Sequence, residues 1–316
     1  MSALVAEENT LSRRSVVRNA DEVIAELVQD GMTIALGGFH TGSRAMALVR
    51  SVVRAGRRNL TLIGSPSTLD ADLLIATGCV RRVMLPYVGV EGMVATAPFF
   101  RRAAESGGIE VCEVDEGIVL TMFKAARQGL DFLPWKGGVG TSIPEMNSQL
   151  KVIEDPFTGK PVLAVPALRP DVALIHAAQA DPCGNVQHLG NAFGDALMAS
   201  ASAACVVQVE RLVPVSVTRQ QPERTTIPAH MVSAIVACPY GGHPFYSQRH
   251  YVMDRKHVQM YVKAAESFLN GSDPAPWNSY LDRFVHGPAD HAAYLEAVGM
   301  PSLIALHESA EGDARP

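Results

Sequence analysis

Asp30-Gly31-Met32-Thr33-Ile34-Ala35-Leu36-Gly37-Gly38-Phe39 is the stretch that decides how this chain folds. Thr33 to Leu36 is a short apolar run with β-branched members, set between glycines. That pattern predicts a strand covered on both faces, as in a parallel sheet. Gly37 and Gly38 then let the backbone turn with positive φ and come close to a ligand, with Phe39 directly after them. Ser43 is placed to cap a helix over 44–55. A strand, a glycine turn and a helix N-terminus together present backbone N–H groups to an anion or an oxyanion. A plain tight βα turn fits the same residues.

The alternation continues on both sides. Val23, Ile24, Leu27 and Val28 share one face of a helix over 21–29. Strands follow at 60–63, 80–85 and 109–114, with helices at Leu69–Ala76, 98–106 and 117–128. After Gly129 the rhythm breaks: 136–143 is glycine-rich and 145–161 reads as irregular. Strands resume at 162–165, 172–176, 205–209 and 231–237, with a helix at 192–203. Asp181-Pro182-Cys183-Gly184-Asn185-Val186 is a turn between two strands. From about residue 254 the chain is helical, at Arg255–Leu269, 278–285 and 289–298. This βαβα order predicts an α/β fold: an open, mostly parallel sheet with helices on both faces and right-handed crossovers. The segments are an N-terminal tail (1–18), an α/β domain (19–252) and a helical C-terminal annex (253–316).

Composition narrows the function. The 316-residue chain is 47% apolar and 19% charged, which supports a sizeable core. A net charge of −5 argues against a nucleic-acid binder. Cys79, Cys112, Cys183, Cys205 and Cys238 form no CxxC pair, so free thiols in a reducing compartment are expected. The charged N-terminus lacks a signal-peptide core, and no apolar run reaches the roughly 18 residues of a membrane span. A cytoplasmic location follows as an expectation.

In such sheets ligands sit beyond the carboxyl ends of the strands. The candidate site is therefore Gly37-Gly38-Phe39, Gly64-Ser65-Pro66, the 87–92 loop with Glu91, and Asp115-Glu116-Gly117. Glu116 can face a ligand as a base or hydrogen-bond partner, or serve as a helix-capping acid. Glu91 lies between glycines, facing a ligand or solvent. Gly138, Gly140, Thr141 and Ser142 make a second glycine turn, without the Lys of a P-loop. No GxGxxG fingerprint, GxSxG elbow or HExxH pair is present, so dinucleotide binding, a hydrolase triad and a metal site are not expected.

Several motifs together resemble one family. They are the Gly37-Gly38-Phe39 turn, Phe132-Leu133-Pro134, Asp155-Pro156-Phe157, Val165-Pro166, Asp171-Val172-Ala173-Leu174-Ile175-His176-Ala177, the 181–186 turn, Pro239-Tyr240-Gly241-Gly242-His243-Pro244 and Asp290-His291-Ala292-Ala293-Tyr294-Leu295. They resemble the α subunit of family I coenzyme A transferases, of the glutaconate CoA-transferase type. The family pattern has a Gly and a Pro where this chain has Ser43 and Ala45.

That resemblance implies a heteromer with a β subunit, either αβ or α2β2, and acyl-CoA and a carboxylic or dicarboxylic acid as substrates. No permanently bound cofactor is implied. A β-subunit glutamate attacks the acyl-CoA, and a glutamyl-CoA thioester carries CoA to the acceptor. Its Ser-Glu-Asn-Gly-like signature is absent from this sequence. Gly37, Gly38, Phe39, Glu91 and the 138–142 turn would contact substrate, and Glu116 would be catalytic. Many family transferases hold a glutamine at the position of Glu116. The heterodimeric hydrolases that open a ring of steroid-derived CoA esters have Asp-Glu-Gly there, with the glutamate as base. Three functions stay open: CoA transfer, hydrolytic C–C cleavage or decarboxylation of a CoA ester with Glu116 as base, and non-catalytic acyl-CoA binding.

Overall fold

The structure, a computed structural model, describes residues 14–313. Four strands come first: β1 (Thr33–Leu36), β2 (Leu60–Gly64), β3 (Val80–Met84) and β4 (Glu110–Val111). A small antiparallel sheet follows, in the order β5-β7-β6, from β5 (Phe132–Trp135), β6 (Lys151–Glu154) and β7 (Pro161–Pro166). β8 (Val172–Ala180), β9 (Val186–Gln187), β10 (Ala204–Leu212), β11 (Thr225–Ile227) and β12 (Ala234–Ala237) return to the large sheet.

The large sheet runs β4-β3-β2-β1-β8-β10-β12, parallel throughout. The far end of β8 folds back through β9, which pairs antiparallel with β8 and with β11. The chain builds outward from β1 to β4, then crosses to β8 on the other side of β1. Strand order therefore reverses between β1 and β8, the place where such sheets open a crevice at their carboxyl ends.

Alternating side chains send β1 into two cores. Ile34 and Leu36 join one cluster with Leu48 and Leu74, while Ala35 joins another with Ile118 and Met198. The helices Ala20–Leu27, Met46–Arg54, Leu69–Ala76 and Pro98–Glu105 cover the first face. Glu116–Arg127 and Asp195–Ala201 cover the second. The α/β fold with a mostly parallel sheet and a helical C-terminal region stands as read from sequence.

Several boundaries differ. The helix expected from Arg44 begins at Met46, and its N-cap position, Ala45, makes no side-chain cap. Ser43 instead sits at φ +54° and donates its N–H to the Tyr246 carbonyl at 3.0 Å. β4 is two residues long, Glu110 and Val111 pairing with Arg82 and Val83 of β3. The stretch read as irregular holds β6, and a final helix, Met300–Asp313, follows the expected annex helices. Within the expected tail, Val16, Val17 and Arg18 lie along β12: Ile235 donates to Val16 O at 2.9 Å and Arg18 donates to Ile235 O at 2.8 Å. Residues 1–13 of that tail are outside the described residues. No helix among the described residues is long and apolar enough to cross a membrane.

One carboxylate fastens the C-terminal helices to the sheet domain. Asp72 is fully buried; its Oδ1 accepts the Phe100 N–H at 2.7 Å and its Oδ2 accepts the Tyr261 hydroxyl at 2.8 Å. It joins the helices Leu69–Ala76, Pro98–Glu105 and Arg255–Leu269. Burial pushes its carboxyl up to about 7. The native chain then holds a proton between about pH 4 and 7 that the unfolded chain has released, so stability falls as pH rises through that window. Asp72→Asn is expected to flatten this slope, leaving the pH dependence above it unchanged. Urea unfolding at a series of pH values checks this; an unaltered slope would exclude Asp72 as its source.

Candidate active site

The glycine turn after β1 has its amides bonded inside the chain. Gly37 donates to Leu174 O at 2.9 Å, Phe39 to Gly42 O at 3.1 Å and His40 to Pro66 O at 2.9 Å. Gly38 donates to Asp195 Oδ1 at 2.7 Å. The expected backbone cradle for an anion is thereby corrected: a carboxylate of the chain occupies it. Asp195 is fully buried and its Oδ2 lies 3.2 Å from His188 Nε2. A Cβ on Gly38, at φ +80°, would stand 2.4 Å from the Ser43 carbonyl oxygen, so glycine is required there.

The turn's function is to aim side chains. Arg44, fully buried, donates to the carbonyls of Gly37 (2.9 Å), His40 (2.7 Å) and Pro66, and pairs with Asp70 Oδ2 at 2.9 Å. It thereby locks the β1 turn to the β2 turn. Phe39 stacks on Phe193 with ring centroids 5.1 Å apart, and His40 lies 5.3 Å from Tyr87 at the end of β3. His40 (φ +45°), Ser43 (φ +54°) and Phe193 (φ +44°) all take the left-handed conformation, which side-chain-bearing residues adopt rarely.

Glu116 opens the helix Glu116–Arg127 and is half-buried. Asp115 caps it, its Oδ1 accepting the Ile118 N–H at 2.6 Å. A Cβ on Gly117 would come within 2.5 Å of the Trp135 ring, and one on Gly137 within 2.5 Å of Trp135 Nε1. The indole is thus slotted between the helix start and the second glycine turn. Gly138 (φ +82°) packs toward Ile118 and Leu163, while Gly140, Thr141 and Ser142 are exposed. The Thr141 hydroxyl donates to Gly138 O at 2.7 Å.

Glu116 and Leu120 share one helix face, being four residues apart. A Cβ on Gly194 would lie 3.1 Å from Leu120 Cδ2 and 3.6 Å from Ser65 Oγ. The structure therefore brings the Phe39 turn, Ser65, Phe193 and the Glu116 helix to one rim, with the 138–142 turn against that helix. Glu91 is exposed in the loop after β3. Burial, then the Glu91 charge, raises the Tyr87 hydroxyl pKa. Asp195, His40 and Phe193 were missed in the sequence; the only signal for Ser65 was its place at a strand end.

Two other clusters carry reactive residue types. Ser247, His176 and Glu210 are buried together, with His176 Nε2 2.9 Å from Ser247 Oγ. Gln208 Oε1 accepts the Leu48 N–H, so its amide nitrogen donates to His176 Nδ1 at 2.8 Å. The imidazole proton then sits on Nε2, and that nitrogen cannot take one from serine. His243, Asp254 and His257 offer ligand atoms within 4.8 Å of one another, the metal-type chemistry that no sequence motif announced. His243 Nδ1 meets the Tyr294 hydroxyl at 2.6 Å and its Nε2 meets Asp254 Oδ2 at 3.2 Å. The Arg50 guanidinium carbon stands 3.5 Å from the Tyr294 ring centroid, a positive charge that disfavours a cation. These bonds join the C-terminal helices to the loop after β12.

A family model described as coenzyme A transferase matches residues 17–238. An uncharacterized protein of Archaeoglobus fulgidus is 34% identical over 282 residues, 89% of this chain; the chain spans 62% of that protein's length. The A subunit of glutaconate CoA-transferase from Acidaminococcus fermentans is 30% identical over 308 residues, 92% of this chain and 94% of that one. The crystal structure of that glutaconate CoA-transferase matches with a TM-score of 0.87 over 92% of this chain and 95% of the other. The cholesterol ring-cleaving hydrolase IpdA subunit of Mycobacterium tuberculosis is 31% identical over 291 residues, 88% of this chain and 96% of that one. A crystal structure of a variant of the decarboxylase AibA/AibB matches with a TM-score of 0.74 and 32% identity, over 85% of this chain and all of that one.

The two glycine turns differ in a testable way. At Gly140 an added Cβ meets nothing within 4 Å, so Gly140→Ala carries only the left-handed backbone penalty of about 1 kcal/mol. Gly38→Ala adds a collision with backbone and should lower the urea midpoint by clearly more. Equal losses would show that the β1 turn is not rigid.

Proposed function

This chain belongs to the coenzyme A transferase family, and on that premise we propose that it is the α subunit of a heteromeric CoA-transferase. Its reaction moves CoA between an acyl-CoA and a small carboxylic or dicarboxylic acid. The observation that carries this reading is the match, along nearly the whole of both chains and including the helical C-terminal region, to a protein named as the A subunit of such an enzyme. The partner supplies the nucleophilic glutamate. Its carboxylate attacks the thioester to give an acyl–glutamyl anhydride and CoA thiolate. The thiolate attacks the glutamyl carbonyl and releases the donor acid as its carboxylate. The glutamyl-CoA then passes CoA to the acceptor acid by the reverse steps. CoA thioesters enter as substrates.

The rim described above forms one wall of the reaction site. The Phe39 turn and Tyr87 line it, Glu91 and the 138–142 turn flank it, and Glu116 faces the substrate. A carboxylate at this position accepts hydrogen bonds but, unlike glutamine, can also take a proton. That difference favours a second reading, hydrolytic or decarboxylating cleavage of a CoA ester with Glu116 as base. The likenesses to the decarboxylase and to the ring-cleaving hydrolase subunit support it.

One experiment separates the two. The chain is co-expressed with the product of the adjacent gene, incubated with acyl-CoA and treated with borohydride. Transfer leaves a reduced glutamate on the partner, seen by mass spectrometry, and the isolated chain shows no turnover. Glu116→Gln then costs under about tenfold in exchange. A base role predicts no labelled glutamate, and a loss of about a hundredfold or more in Glu116→Gln, the usual worth of a general base.

A further inference from the structure

Two buried polar atoms without hydrogen-bond partners stand at the carboxyl ends of the adjacent strands β1 and β2. They are His40 Nδ1 and Ser65 Oγ. Ser65 is 1% exposed, and a hydroxyl so deeply buried normally finds a partner within the fold. The two residues are locked together, because His40 donates its N–H to the carbonyl of Pro66, the residue after Ser65. Arg44 holds both turns from below through the His40 and Pro66 carbonyls.

Backbone strain marks the same spot. His40 and Phe193 keep positive φ at 45° and 44°. Such conformations persist where surrounding structure enforces them, and they gather at ligand sites. Phe193 lies flat against Phe39, and Tyr87 flanks His40 from the far side. A Cβ on Gly194 would stand 3.1 Å from Leu120 Cδ2 and 3.6 Å from Ser65 Oγ, so a glycine lets the chain after Phe193 pass this close to Ser65. The result is a pair of unpartnered polar atoms beside three aromatic rings.

We propose that Ser65 Oγ and His40 Nδ1 clamp an oxygen of the acyl group of the CoA ester, while Phe39, Phe193 and Tyr87 wall its carbon chain. This rests on the reading of the rim as an acyl-CoA site. It assigns acyl recognition to two residues that take no part in the bond-making steps. The oxygen held is either the thioester carbonyl or a carboxylate at the far end of a short acyl chain. Both accept hydrogen bonds, and a serine hydroxyl donates to either.

Binding tests this without turnover. Butyryl-CoA, glutaryl-CoA and free CoA are titrated by calorimetry into the two-subunit complex carrying Ser65→Ala, His40→Leu or His40→Asn. Ser65→Ala and His40→Leu are expected to weaken acyl-CoA about tenfold or more, the worth of one hydrogen bond to the ligand, with free CoA unaffected. His40→Asn keeps a polar atom near Nδ1 and tolerates positive φ, so it restores most of the affinity. Loss with both esters identifies the thioester carbonyl; loss with glutaryl-CoA alone identifies the distal carboxylate. Unchanged affinity for both esters in Ser65→Ala, or equal loss for free CoA, overturns the clamp. If borohydride trapping fails while Ser65→Ala still weakens acyl-CoA, the transferase assignment falls and the clamp stands; the converse result separates them the other way.

Discussion

Everything at the rim depends on one buried cation. The Arg44 guanidinium is sealed from solvent, and it is held by one carboxylate, Asp70, and by backbone carbonyls of the first two strand ends. A charge taken from water is tolerable only with such a complete set of partners, and removing one strands the other. This requirement fixes the geometry in turn. The carbonyls of Gly37, His40 and Pro66 must all point at one guanidinium plane, so the turns they belong to cannot move independently. A second buried acid, Asp195, takes the Gly38 amide and ties the same turn to a helix on the opposite face of the sheet.

The site is assembled from segments distant in sequence because the parallel sheet brings them to one edge. β1, β2 and β3 deliver Phe39 with His40, Ser65 and Tyr87; the segment after β4 delivers Glu116. The loop before the helix Asp195–Ala201 adds Phe193. The reversal of strand order beside β1 leaves these ends splayed rather than closed. Such an arrangement gathers Glu116 and the aromatic side chains along one edge of the sheet, which suits the proposed chemistry completed by groups from a second subunit.

The sequence made legible what local pattern encodes. β1, the helix Leu69–Ala76 and the helix Arg255–Leu269 fall on the residues expected, because apolar runs with flanking glycine or acid define each. Glu116 at a helix start was likewise visible from Asp115 before it. The failures have a common cause. Ser43 and Arg44 look like a cap and a first helical turn, but Arg44 is drawn inward to carbonyls that only the folded sheet brings near. Asp195 meets Gly38 across 157 positions, beyond the reach of any local pattern. The polar Lys-Val-Ile-Glu of β6 lies in a small, half-exposed sheet and carries no strand-like alternation of buried faces. Ser65 was readable only as part of a turn, since its unpaired hydroxyl exists as a fact of packing.

The strand of chain at Val16, Val17 and Arg18 has a consequence of its own. β12 ends the parallel array on one side, and a bare terminal strand offers its amides and carbonyls to any other extended chain. Here the N-terminal segment takes the Ile235 amide and carbonyl, which closes that side against edge-to-edge growth. The other border, β4, is only two residues long and offers little to pair with. The parallel array is thus bordered by a covering segment on one side and by a two-residue strand on the other. On the proposed reading, in which a second subunit covers the rim, these two borders are kept apart from the face that meets it.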